Sequence, residues 1–169
     1  ERMRTQDELE FDARRERVIA LRRTRLDALL VREVEVGVEP GPEAERVLAE
    51  AAARDPLRAL ALDDDAVAGF LARVRSLAHW RPELELPRFD QDDVARVLAP
   101  LCAGRTDFAS LRHAAKSGAL RDVLTWEQAA ALDRDAPERL QVPSGSHVAL
   151  AYEPGRAPVL AVRLQELFG

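Results

Sequence analysis

Six arginines crowd the segment "RRERVIALRRTR", from Arg14 to Arg25, against a single glutamate. Guanidinium groups at this density suit a phosphate backbone, because they carry a permanent charge and grip oxygens in pairs. Arg14, Arg15, Arg17, Arg22, Arg23 and Arg25 are therefore candidate nucleic-acid-binding residues. In a strand the side chains alternate, so Arg23 and Arg25 share a face and Arg22 lies on the other. No single groove takes all six. The plain alternative is an outer sheet face on which several are solvated or pair with Glu33 and Glu35. A second candidate is Ser144, Gly145 and Ser146 in "VPSGSH". Small residues let a phosphate approach the backbone, and hydroxyls and free amides donate to it. The same residues also make an ordinary turn between strands.

Other chemistry lacks its residues. No G-x-x-x-x-G-K-[ST] run occurs, and the one lysine, Lys116, stands in "AAKSG" with no strand or glycine loop before it. There is no G-x-G-x-x-G. His79, His113 and His147 are scattered, and none falls at ligand spacing from Cys102 or a carboxylate. The acidic runs Asp63-Asp64-Asp65 and Asp90, Asp92, Asp93 stand where negative charge ordinarily faces a helix N-terminus. The chain carries no catalytic motif and no metal set. Trp126 and Tyr152 fall on apolar faces and read as core or interface aromatics rather than platforms for bases.

The elements that must hold these residues follow from composition and period. Hydrophobic residues make up 47% and charged residues 33% of 169, which describes a globular chain rather than a disordered one. The lone Cys102 excludes an internal disulfide framework and fits a reducing compartment. No basic-then-apolar leader opens the sequence, and no apolar run approaches the ~20 residues of a membrane span. A cytoplasmic location without a membrane partner is expected. The net charge of −5 weighs against nucleic acid on average, but the charge is segregated, with arginine early and acid in "LDDDAVAG" and "FDQDDVAR".

Residues 1–38 alternate as three short strands, and "RLQVP", "HVALAYE" and "PVLAVRLQ" restore the pattern from Arg139 onward. Between them the period turns helical. "EPGPEAERVLAEAAARD", "DDDAVAGFLARVRSLAHW", "DQDDVARVLAPLCAG", "DFASLRHAAKSGALRDVL" and "TWEQAAALDRDAP" are helices. Pro100 kinks or shortens the third, and Thr125 with Gln128 forms a capping box on the last. The fold class is α+β. The expected architecture is an OB-like antiparallel β-barrel, or a small unclosed sheet, with a large helical insertion between its third and fourth strands. Residues 1–38 and 139–169 then form one discontinuous β-module, with 39–138 as the helical insertion.

The closing stretch carries a resemblance. Trp126, Leu132, Asp133, Ala136, Pro137, Leu140, Val142 to Ser146, Tyr152 and Pro158 to Gly169 match the pattern "W-x-x-x-x-x-L-D…AP-x-x-L-x-VPSGS…Y…PVLAVRLQE-x-FG". This resembles the C-terminal region of the HrpB family, bacterial DEAH-type ATP-dependent helicases. The early "EFDARRERVIALRRTRLDALLV", with Phe11-Asp12, looks like the stretch that follows that family's helicase core. The resemblance implies a piece of a larger enzyme whose two RecA-like domains lie before Glu1, and whose chain continues beyond Gly169. ATP and magnesium then belong to that core, and this piece holds no cofactor. The implied partners are single-stranded nucleic acid, expected to be RNA, and the RecA-like core of the same polypeptide. A protein partner on the acidic helices is the alternative, in a non-catalytic scaffolding role.

Overall fold

In the computed structural model, which describes residues 3–89 and 93–160, the alternating front segments form an antiparallel meander. Its strands are β1 (Met3–Asp12), β2 (Arg17–Leu26) and β3 (Leu29–Val36), in that order across the sheet. Asp12 closes the first connection, its Oδ1 accepting the backbone N–H groups of Arg14 (2.9 Å) and Arg15 (3.0 Å). That local bond is what makes Asp a turn former. Asp27-Ala28 alone make the second connection, with Asp27 at φ 53°, a left-handed conformation Asp visits more readily than most residues. The register places Leu9, Phe11, Val18, Ala20 and Val36 on one face, where Val18 and Ala20 are buried.

Among the described residues there are six α-helices, five of them where the period turns helical. α1 (Pro42–Arg54) opens on Pro42 and buries Ala44, Leu48, Ala51 and Ala52, the stripe of an amphipathic helix. The short α2 (Pro56–Leu60) follows at once, because Asp55 caps it by accepting the Arg58 N–H at 3.2 Å. α3 (Asp65–Trp80) is capped by Asp64 and buries Val67, Leu71, Val74 and Leu77. α4 (Val94–Cys102) contains Pro100 and stops two residues after it. α5 (Phe108–Lys116) ends where Gly118 takes φ 93°. α6 (Trp126–Asp135) starts with the expected capping box between Thr125 and Gln128. β4 (Arg139–Gln141), β5 (His147–Ala151) and β6 (Val159–Leu160) make a second antiparallel sheet. The rest of the expected last strand lies in residues 161–169, outside the described residues, as do Asp90 and Asp92.

The α+β class holds, but no barrel closes among the described residues: the six strands form two separate three-stranded sheets. The reason lies along the free edge of β2. Beyond the end of β3, that edge is taken by the segment leading into α5. The Val18 N–H donates to the Thr106 carbonyl (2.7 Å), the Phe108 N–H donates to the Glu16 carbonyl (2.9 Å), and Arg17 bridges Asp107. The chain divides into two compact units. One comprises Glu1–Leu62 and Val94–Ser117, and the other Asp63–Asp93 and Gly118–Gly169.

In the second unit the joint between α6 and β4 is tied by two side chains. Buried Arg73 donates from Nε to the Ala136 carbonyl at 2.7 Å, and the Tyr152 hydroxyl donates to the Pro137 carbonyl at 2.5 Å. Tyr152 also packs on Trp80, with ring centroids 6.2 Å apart. Arg73→Met keeps the apolar stem but strips the Ala136 carbonyl of its charged donor, so it should cost roughly 1.5–3 kcal/mol. Thr125→Ala removes a helix cap and should cost about 1 kcal/mol. Urea unfolding followed by far-UV circular dichroism measures both, and equal midpoints for wild type and Arg73→Met would refute the tie.

Candidate nucleic-acid interface

Register decides what the arginine strand can offer. Between Met3 and Val36 there are eight arginines and eight carboxylates, and antiparallel pairing brings them together. Arg23 is the centre of the lattice. Its side chain is only 19% exposed and pairs with Glu8, with Glu10 (2.8 Å) and with Glu33 (2.7 Å). Arg15 donates to Asp12 (2.6 Å) and in a fork to Glu35 (3.0 and 2.8 Å). Arg17 reaches Glu35 at 3.1 Å. On the opposite face Arg22 forks onto Asp7, both bonds 2.8 Å long. Four of the six candidate arginines are thus neutralised by their own sheet.

The remaining two are not. The Arg14 guanidinium, in the β1–β2 turn, has no partner among the described residues; only its backbone N–H is held. Arg25 is exposed and likewise unpaired among them. It stands directly across the ladder from Arg4, which is also exposed and unpaired. Like charges opposite one another destabilise a ladder unless something neutralises them. Arg32, on the other face at the same end of the sheet, is also without a carboxylate. Arg4 and Arg32 lie outside the dense run and were not candidates on sequence. Their signal was the register, since a two-residue connection at Asp27-Ala28 fixes which residues face Arg25.

The Ser144-Gly145-Ser146 loop belongs to the second unit. It is a tight turn held by its own backbone. The Gly145 N–H donates to the Val142 carbonyl (2.8 Å), the Val142 N–H donates to the Ser146 carbonyl (2.9 Å), and Gly145 takes φ 87°. Of its own amides that of Gly145 is spent and that of Ser146 reaches Ser144 Oγ at 3.5 Å, while all three residues stay exposed. Tyr152 is buried, as its apolar face implies, but Trp126 is not: it is 87% exposed. α6 buries Ala131 and Leu132, and at about 100° per residue those positions lie on the side away from Trp126. The first-turn Trp126 is thus turned outward by the same period that fixes the helix core. Among the described residues no three His, Cys, Asp or Glu side chains gather as a metal site, and no helix is long and apolar enough to cross a membrane.

The lattice also sets a pH response. The bond from Arg22 holds Asp7 below the ordinary carboxylate range, and the Arg15 bonds do the same to Glu35 and Asp12. A carboxylate depressed on folding binds fewer protons folded than unfolded. Its contribution is complete above the unfolded value and is lost as pH falls through the folded one. Thermal melting should therefore be flat from about pH 6 to the ordinary glutamate value of 4.5 and fall as acid is added further. Added salt should weaken the same exposed pairs. A melting temperature that stays level to about pH 2 would show that the lattice contributes nothing.

Residues 97–169 match the family described as ATP-dependent helicase C-terminal. Over that part the chain is similar to the C-terminal region of the HrpB family. It is 34% identical over 101 residues to the ATP-dependent RNA helicase HrpB of Escherichia coli strain K12, covering 57% of this chain and 12% of that protein. Two crystal structures, of an E. coli DExH-box NTPase HrpB and of the Escherichia coli DEAH/RHA helicase HrpB, align with 98% of this chain. Their TM-scores are 0.68 and 0.69, at 25% and 26% identity. The chain spans 21% and 22% of those two structures.

Proposed function

We propose that this chain is the C-terminal accessory module of an ATP-dependent helicase and that it grips single-stranded nucleic acid, RNA by preference, beside the RecA-like ATPase core of the same polypeptide. The observation that carries this reading is the Arg4–Arg25 pair: two exposed guanidinium groups directly opposite on one sheet face, with no carboxylate partner among the described residues. A phosphate between them relieves their repulsion and accepts from both. The lattice behind them keeps Arg15, Arg17, Arg22 and Arg23 occupied, so the main contact is at the sheet end that carries Arg4 and Arg25. Arg14 and the Ser144–Ser146 loop are subsidiary contacts. ATP and magnesium act in the core, and this module holds the strand while the core moves it. The likeness to a protein named as an RNA helicase supports RNA as the strand.

A second reading, a protein-docking module, is favoured by β3. It is an edge strand on which Leu29, Leu30, Val31 and Val34 are all exposed. Fluorescence anisotropy of a labelled single-stranded RNA, titrated at several salt concentrations, separates the two. Phosphate contact gives affinity that falls with salt, by about 0.7 in log–log slope for each phosphate neutralised on a single strand. Replacing Arg4 and Arg25 together by glutamine removes that one phosphate contact, so it should lower the slope by about 0.7 and weaken binding on every sequence alike. Arg22→Gln and Arg23→Gln should chiefly destabilise the sheet. Absence of wild-type binding at low salt, or an unaltered slope in the Arg4/Arg25 variant, overturns the proposal and leaves the docking reading.

A further inference from the structure

The first unit holds a cavity of about 300 Å³ where the end of β1 meets α1 and α2, at the lower bound of the ~300–1,000 Å³ typical of small-molecule sites. Phe11 and Phe108 line it, their ring centroids 4.6 Å apart and their planes tilted by 36°. Val47 and Ala51 of α1 supply aliphatic wall. The polar groups are few and not all are spent. Glu50 is engaged by Arg46 at 2.7 Å, and Arg58 by Glu16. Arg54 has no partner among the described residues. Asp55 uses one carboxylate oxygen, Oδ1, to cap α2 at 3.2 Å, and its Oδ2 is open.

An aromatic and aliphatic lining with one spare cation and one spare acceptor suits a planar heteroaromatic ring that bears an amine and a phosphate. We propose that this cavity takes one nucleotide. Its base packs against Phe11, its exocyclic amine donates to Asp55, and its phosphate meets Arg54. Base–aromatic stacking and a guanidinium–phosphate contact are the two terms that hold single nucleotides on proteins. The amine sets a preference, because adenine and cytosine carry one and uracil does not. Neither Arg4 nor Arg25 takes part, so the inference stands apart from the strand contact proposed above. The nucleotide can be a free mononucleotide or one residue of a bound strand.

The test is aromatic and methyl NMR of the chain, titrated in turn with AMP, UMP, inorganic phosphate and a single-stranded oligoadenylate. AMP or oligoadenylate should shift the Phe11, Phe108 and Val47 signals to saturation. A response to AMP means that free nucleotide suffices, and a response to oligoadenylate alone means that the strand delivers it. UMP should bind about tenfold more weakly, and so should AMP to Arg54→Gln, each lacking one charge-assisted bond. Val47→Phe, which fills the cavity from a half-exposed position, should abolish the shifts while the remaining signals stay dispersed. Equal shifts with inorganic phosphate, no shift at either phenylalanine with any nucleotide, or unaltered shifts in a folded Val47→Phe variant overturn the proposal. AMP shifts retained in the Arg4/Arg25 variant separate this site from the strand contact.

Discussion

Glu16 sits in the turn between β1 and β2 at φ 54° and holds three elements at once. Its carboxylate accepts from Arg112 of α5 at 2.7 Å and pairs with Arg58 of α2. Its backbone carbonyl accepts the Phe108 N–H at 2.9 Å. A non-glycine residue in the left-handed region costs about 1–2 kcal/mol, and these bonds, made by a side chain one-fifth exposed, offset that strain. The Arg112 bond, with the charges of Arg112 and Arg58, depresses the Glu16 carboxyl. With Glu16 fixed, Phe108 is delivered onto Phe11, the segment before α5 occupies the edge of β2, and the helices are clamped to one end of the sheet. The other end, where Arg4, Arg25 and Arg32 stand, receives no such cover: Met3 and Leu29, paired in one row with Leu26, are about two-thirds exposed.

This division explains why a run of six arginines does not make a basic patch. A cation on a central strand has neighbours on both sides, and β1 and β3 present acids there. Only where the acids run out, past Gln6 on β1 and past Glu33 on β3, does the guanidinium charge go unanswered within the described sheet. The surface that remains cationic is thus set by where β1 and β3 stop supplying carboxylates, more than by where arginine is dense.

Much of the architecture was legible because it rests on local period. The alternation of Leu9 and Phe11, the stripe Val67, Leu71, Val74 and Leu77, and the Thr125–Gln128 capping box all specify structure within a few residues, and each is realised. α2 was missed although Asp55-Pro56 is a cap followed by a proline at the first helical position, a start signal overshadowed by the end of α1. Barrel closure was not legible, because it depends on which segment takes the edge of β2, and Thr106-Asp107 carries no periodic mark of doing so. The partners of the candidate arginines were hidden on the same ground. Arg22 and Arg23 look alike in sequence to Arg25, yet pairing at a distance of fifteen residues, to Asp7 and Glu8, separates them. Trp126, read as a core or interface aromatic, stands outside the core because it lies on the first turn of α6, before the buried arc begins.

The two candidate contacts in the first unit lie on one strand. β1 carries Arg4 near its start and Phe11 near its finish, seven residues apart, or roughly 23 Å at ~3.3 Å per residue. They also point to opposite faces, since alternation puts even and odd positions on different sides. A strand that met Arg4 and Arg25 with its phosphates and offered a base to Phe11 must therefore cross the outer edge of β1, which pairs with no other strand. Such a path would read phosphate on one face and a single base on the other. It asks nothing of the lattice between them except that it hold the strand straight. The ion pairs around Arg23, one guanidinium against three carboxylates, serve that purpose better than free cations could, because a rigid middle without a spare cation leaves the two ends to set where the nucleic acid lies.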